Sequence, residues 1–153
     1  MEGPGIARLE AMLDEAVVIF VVTRDDDLQP HVARAWGGLL DAEAGRLDLA
    51  VTVHDDVRVV ADLKANGSVA VLVSRPSTYQ TMQITGHVER IGTPGPADLE
   101  RINVHVERFV AEGVTLGLPK SVARLAGERW VAIRVALDQF FEQTPGHKAG
   151  SAL

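Results

Sequence analysis

Alternation is the feature that most narrows what this chain can fold into. Leu47, Leu49, Val51 and Val53 alternate with Asp48, Ala50 and Thr52. Met82, Ile84, Gly86 and Val88 alternate in the same way against Thr81, Gln83, Thr85 and His87. A period of two belongs to a strand with one face turned inward. Residues 17–22 form a β-branched and aromatic run without such alternation, which predicts a strand buried on both faces. After the turn at Arg24-Asp25-Asp26-Asp27, residues 31–40 return as a second strand. Residues 69–73 and 131–137 bring the count to six. These strands are not interleaved regularly with helices, so a doubly wound parallel sheet is a poor fit. The expected class is α+β and mainly β: a six-stranded antiparallel Greek-key barrel with peripheral helices.

The helices are read from the 3.6-residue period. Ile6, Leu9, Met12 and Leu13 share one face of an opening helix. Asp55 and Asp56 suit the start of a second, where carboxylates accept orphan amide hydrogens and oppose the dipole. Asn66-Gly67 suits its end, and Val57, Val60 and Leu63 form its stripe. After the Gly/Pro cluster of residues 92–96, Leu99, Ile102, Val106, Phe109 and Val110 lie on one face of a longer helix. Pro119 opens a short helix toward Ala126. From Gln143 onward the Pro/Gly content predicts a loose tail. Residues 1–153 are expected to form a single domain.

Composition removes several function classes. Cysteine is absent, which excludes disulfides, thiolate nucleophiles and cysteine-ligated metals and fits a reducing cytoplasm. The formal net charge of −6 argues against phosphate-backbone binding, so no nucleic-acid partner is expected. The longest apolar run, residues 16–22, is far short of the roughly 20 residues that cross a bilayer, and no membrane association is expected. His31, His54, His87, His105 and His147 are scattered without H-E-x-x-H or H-x-H spacing, and no metal site is assigned. Neither a G-x-G-x-x-G nor a G-x-x-x-x-G-K-[ST] is present, and no G-x-S-x-G elbow presents a nucleophile. No catalytic side chain is nominated.

A more specific signal lies in the order of several phrases. The strand Leu49-Ala50-Val51-Thr52 precedes a short helix containing Arg58. Residues 63–71, Leu-Lys-Ala-Asn-Gly-Ser-Val-Ala-Val, lead into the next strand. Residues 78–86, Thr-Tyr-Gln-Thr-Met-Gln-Ile-Thr-Gly, follow, and Arg129-Trp130-Val131-Ala132-Ile133-Arg134-Val135 closes the chain's strands. This succession, over roughly residues 5–142, resembles the pyridoxamine phosphate oxidase-like, FMN-binding split-barrel family. Asn66-Gly67 stands where that family has Asn-Pro, and the Arg/His-rich end of the vitamin B6 oxidases is missing, so their substrate is not implied.

The resemblance implies an FMN-dependent oxidoreductase with an unknown small-molecule substrate, its flavin held where two copies of a homodimer meet. It places Arg58 and the strand-end Thr52, with neighbouring Val53, at the FMN phosphate. Arg34, Ala35 and Trp36 fall on the strand beside the isoalloxazine. Thr81 and Gln83 fall on the strand from which the family hydrogen-bonds the flavin; alternation sends Gln80 to the opposite face. Each has a plainer alternative. Arg58 has Asp55 or Asp62 as ion-pair partners, Trp36 suits a core or an interface, and Thr81 and Gln83 suit a solvent face. A second function on the same barrel is a binding module for haem, a deazaflavin or another small ligand, since fold alone does not choose between them.

Overall fold

The computed structural model describes residues 1–54 and 57–153, so the expected N-terminal carboxylates Asp55 and Asp56 lie outside the described residues. Strands β1 (Val18–Arg24), β2 (Pro30–Asp41), β3 (Arg46–Thr52), β4 (Ser68–Ser74), β5 (Thr81–Gly92) and β6 (Trp130–Glu142) close into a barrel in the order β1-β2-β3-β6-β5-β4. Every pairing is antiparallel, with β4 returning to β1. The mainly β barrel that alternation predicts is therefore present. Around it lie α1 (Pro4–Leu13), α2 (Arg58–Ala65), α3 (Pro96–Thr115) and a 3₁₀ helix, Lys120–Ala126.

Inward-facing Ile19, Val21, Leu47, Leu49, Val51, Val71, Val73, Met82, Ile84, Ile133 and Val135 fill the lumen. Two helices plug it. Helix α1 delivers Ile6, Leu9 and Met12 to the end where β1 begins. Helix α2 delivers Val59 and Leu63 to the end where β1 stops, beside Thr23. With both ends closed, barrel interior and helix faces merge into one apolar core.

Some local expectations are corrected. The 17–22 run is not buried on both faces: Ile19 and Val21 face the lumen, whereas Val18, Phe20 and Val22 are half-buried outside. Val18 packs against a second cluster outside the barrel, formed with Ile102 and Phe109 of α3. The stripe of α2 is Val59, Asp62 and Leu63, while Val57 is exposed and Val60 half-buried. At its end only Gly67 takes the left-handed conformation, at φ 71°. Asn66 instead donates to the Arg24 carbonyl (2.9 Å). The stripe of α3 is rotated to Ile102, His105 and Phe109, leaving Leu99 exposed. Residues after Gln143 turn back onto β6 through Glu142 N to Ser151 O (2.9 Å) and Leu153 N to Phe140 O (2.9 Å).

Two features of this frame are testable. At the register shift between Thr85 and Gly86, a Cβ on Gly86 would lie 2.3 Å from the Ala136 carbonyl oxygen, whereas one on Gly92 meets nothing within 4 Å. Gly86→Ala is expected to lower stability by about 2 kcal/mol through overpacking against backbone. Gly92→Ala should be close to neutral in the same urea titration. Glu142 accepts two hydrogen bonds from the Arg8 guanidinium, at 2.5 and 3.1 Å, and one from the Thr144 amide at 2.8 Å. Arg8 first and Thr144 second hold its carboxyl down to about 2. Because that lies below the value of about 4.3 in an unfolded chain, the stabilisation is complete above it and is lost as pH falls toward 2. Glu142→Gln should remove that part of the acid denaturation slope.

Candidate functional site

The outer wall of the barrel near the β2–β3 pair carries a second core. Trp36, Ala50, Ile102, Phe109 and Ala126 are packed together between the sheet, α3 and the 3₁₀ helix. This explains why Ala50 and Thr52, the outward members of the β3 alternation, are buried as well. His105 fastens α3 to the sheet. Its Nδ1 accepts the Gly37 amide (3.0 Å), which fixes the proton on Nε2, and Nε2 donates to the Val17 carbonyl (2.7 Å). Gly37 sits at a β2 irregularity with φ 64°, where a bound amide leaves the ladder and needs another acceptor. Thr52 fastens the 3₁₀ helix. Its hydroxyl accepts from Trp36 Nε1 (3.0 Å) and donates to the Ala126 carbonyl (2.9 Å), which also accepts Trp130 Nε1 (2.8 Å).

Against this second core opens a groove of about 790 Å³. Arg34 from β2, Arg58 from the first turn of α2 and Arg124 from the 3₁₀ helix line it, with His31, His54, Phe20 and Val32 between them. Among the described lining residues, these guanidiniums share the groove with the Asp25 carboxylate. That carboxylate is occupied in the β1–β2 turn, accepting the amides of Asp27 and Gln29 at 2.9 Å each.

Arg34 is the informative cation. Its guanidinium carbon lies 5.2 Å from the Phe20 ring centroid and 5.8 Å from that of Phe109. Burial lowers its pKa, and among the described residues it has no carboxylate partner. A stacked, half-desolvated guanidinium without a counter-ion stays charged and presents its in-plane donors to whatever enters. The cluster therefore suits a phosphate or another compact anion, which guanidinium forks bind in bidentate fashion.

At the inner edge of the groove, Asp62 on α2 is buried. Its Oδ2 accepts from Thr23 Oγ1 (2.6 Å) and from His31 Nδ1 (2.7 Å). Burial pushes the Asp62 carboxyl up, but the hydrogen bonds from Thr23 and His31, aided by the positive charge of Arg58 and of His31 when protonated, outweigh it. The carboxyl is thus held below its ordinary value, and ionised. Asp62, named from the sequence as an ion-pair partner for Arg58, is hydrogen-bonded to Thr23 and His31.

Of the residues that the resemblance singles out, Arg34 and Arg58 share this groove. The others do not. Ala35 points into the lumen, and Trp36 and Thr52 are bound to each other in the second core, both hydroxyl functions of Thr52 being taken. Val53 donates its amide to the Arg129 carbonyl (2.9 Å) and lines a smaller cleft with His54 and Gly127. Thr81 contacts Ser74 Oγ (2.7 Å) and the Tyr79 carbonyl (2.9 Å), and Gln83 Oε1 accepts from Gln143 Nε2 (3.1 Å). Registers place Arg34, Phe20, Leu72 and Gln83 in one row across β2, β1, β4 and β5. Directly paired antiparallel residues share a face, so Gln83 shares the outer face with Arg34 at about 14 Å, three strand spacings away. Arg124, His54 and the His31–Asp62 pair escaped the sequence reading. Arg124 reaches the groove only through the tertiary docking of the 3₁₀ helix, which no spacing encodes.

Comparison with solved structures gives the architecture its name. HupZ of Group A Streptococcus superposes with a TM-score of 0.56 at 14% identity, covering 99% of both chains. A pyridoxamine 5'-phosphate oxidase-related, FMN-binding protein of Nostoc punctiforme gives 0.55 at 10% identity, with 96% of this chain and 87% of that one covered. The fold is the pyridoxamine 5'-phosphate oxidase-like split barrel. An F420 reductase shares it at a TM-score of 0.51 and 22% identity, covering 86% of this chain and 94% of that one. No protein-family model matches the sequence, and no curated protein matches it either. Among the described residues of this split barrel, no three metal-ligating side chains converge, and no helix is long and apolar enough to cross a membrane.

The His105 latch makes a measurable demand. Burial lowers its pKa, and only the neutral ring can accept the Gly37 amide. Its stabilisation is therefore present above the unfolded value of about 6.5 and lost as pH falls through the lower folded value. His105→Phe should cost about 1–3 kcal/mol at pH 8 by leaving the Gly37 amide and Val17 carbonyl unpaired. It should also flatten the stability profile between pH 7 and 5, read by chemical denaturation.

Proposed function

We propose that this split barrel binds FMN through its phosphate in the Arg34–Arg58–Arg124 groove and serves as a flavin-dependent oxidoreductase, as a homodimer in the cytoplasm. The observation that carries the reading is Arg34, a half-buried guanidinium stacked between Phe20 and Phe109 with no carboxylate partner among the described residues. A chain of net charge −6 gathers three arginines there, which favours a localised anion over a diffuse one. The groove's volume and the apolar walls offered by Phe20, Val32 and Leu125 suit a ligand with one anionic end and one flat apolar end. The FMN-binding neighbour of the same fold supports the choice of ligand.

Bound FMN supplies hydride and single-electron transfer, which no side chain here provides. The protein's own residues would bind and orient: Arg34, Arg58 and Arg124 would hold the phosphate, and the half-buried Phe20 ring would supply the adjoining apolar wall. A second copy completes the site. The outer row Phe20–Leu72–Phe141 is half-buried in one chain, and pairing it across a dimer removes apolar surface from water. The same contact brings the second copy's Thr81 and Gln83 toward the groove, which one chain alone keeps three strands apart.

The visible spectrum of the purified protein, before and after FMN addition, tests the assignment. A flavin spectrum with quenched fluorescence is expected. Arg34→Gln and Arg58→Glu should each weaken FMN at least about tenfold, the scale of a lost charge-assisted hydrogen bond. A Soret band, or a chromophore that ignores both substitutions, would overturn the reading. Light scattering should give the mass of two chains, and Leu72→Glu should yield monomers with weakened FMN binding.

A further inference from the structure

We propose that His31, held by Asp62, is a proton-accepting contact to the anionic group bound in the arginine groove, so that anion binding draws a proton onto its imidazole. The inference rests on the reading of the groove as a phosphate site and adds to it a residue that neither the family resemblance nor the arginine cluster names.

The geometry fixes the tautomer. An ionised Asp62 can only accept, and its Oδ2 lies 2.7 Å from His31 Nδ1, so the neutral ring carries its proton on Nδ1. Nε2, on the far edge of the ring, then bears a lone pair and has no hydrogen-bond partner among the described residues. The His31 side chain is only 14% exposed and lines the groove. A half-desolvated nitrogen of this kind meets an incoming phosphate oxygen badly when neutral and well when protonated, because only imidazolium donates from both nitrogens.

The charges around the ring decide the sign. From α2 come the Asp62 carboxylate, which favours imidazolium, and Arg58, which opposes it. Arg34 on β2, His54 after β3 and Arg124 on the 3₁₀ helix also line the groove, and any positive charge there opposes protonation. Asp25, in the β1–β2 turn, favours it. A bound dianion cancels the arginine field and adds a direct acceptor, so the His31 pKa rises on binding. By linkage, affinity for the anion must then rise as pH falls through the His31 titration range. The titration of phosphate itself acts in the opposite sense, since the dianion is lost as pH falls below about 6. The two contributions oppose each other, and the His31→Asn variant removes only the first.

Histidine NMR on the intact protein, with inorganic phosphate and FMN as separate probes, decides the matter. Ring ¹⁵N shifts should show His31 as the Nδ1–H tautomer, and Asp62→Asn should release that preference. Saturating phosphate or FMN should raise the His31 pKa by about one pH unit, which corresponds to about tenfold tighter binding to the protonated ring. Calorimetry in buffers of different ionisation enthalpy should show net proton uptake near pH 7 on FMN binding, lost in His31→Asn and kept in His147→Asn, whose side chain lines a separate cleft. An Nε2–H tautomer, or a His31 pKa that neither probe moves while FMN binds, would overturn the contact. If phosphate moves the pKa and FMN does not bind, the cofactor reading fails while the contact stands. If neither probe binds, both fail together.

Discussion

Much of this molecule depends on one buried imidazole accepting one displaced amide. The irregularity at Gly37 and Gly38 turns a backbone N–H out of the β2–β3 ladder, and His105 takes it. That bond, with the one to the Val17 carbonyl, holds α3 against the outside of the barrel. With α3 in place, Phe109 lies edge-on to Trp36 at 5.6 Å between centroids, and the Arg34 guanidinium packs against Phe109. The 3₁₀ helix packs in turn on α3 and is hydrogen-bonded through Ala126 to Thr52 and Trp130. Arg124 reaches the groove on that helix. The cationic site is thus a consequence of how an outer layer is fastened to a barrel that would close without it.

The inner barrel was legible in the sequence because its physics is local. A lumen filled by alternate residues imposes the period of two visible in β3 and β5. The outer layer was not legible in the same way. On β3 both faces are covered, one by the lumen and one by the second core, so Ala50 and Thr52 read as ordinary outward positions. On α3 the amphipathic stripe predicts a face through Leu99 and Val106, but the buried line runs through His105. A polar ring adds nothing to a hydrophobic pattern until both of its nitrogens find partners on other strands. Gly67, by contrast, was legible: a left-handed helix end needs a residue without a Cβ.

The site was half legible for a related reason. Arg34 and Arg58 belong to phrases whose order resembles the FMN-binding split barrels, and both line the groove. Thr52 belongs to the same phrase and has a structural role here, its hydroxyl spent between Trp36 and the Ala126 carbonyl. Sequence order places a residue at a strand end; it does not say whether that hydroxyl is already occupied. His31 and Asp62 lie 31 positions apart and become a pair only because α2 caps the end of the barrel at which β2 begins.

Split barrels leave a physical question that this chain answers in a particular way. A closed barrel with plugged ends has no interior to offer a cofactor, so any ligand must bind outside, on a surface that water would otherwise wet. One wall is built here by α3 and the 3₁₀ helix, which shelter Arg34 enough to lower its pKa without neutralising it. In the opposite direction, Phe20, Leu72 and Gln83 are each only half-buried. A flat ligand anchored at Arg34 would lie along that open row, and its far end would remain in solvent unless another protein surface met it. The half-buried apolar row lies beside a cation that has no carboxylate partner among the described residues, so the dimer proposed above would cover both with one contact.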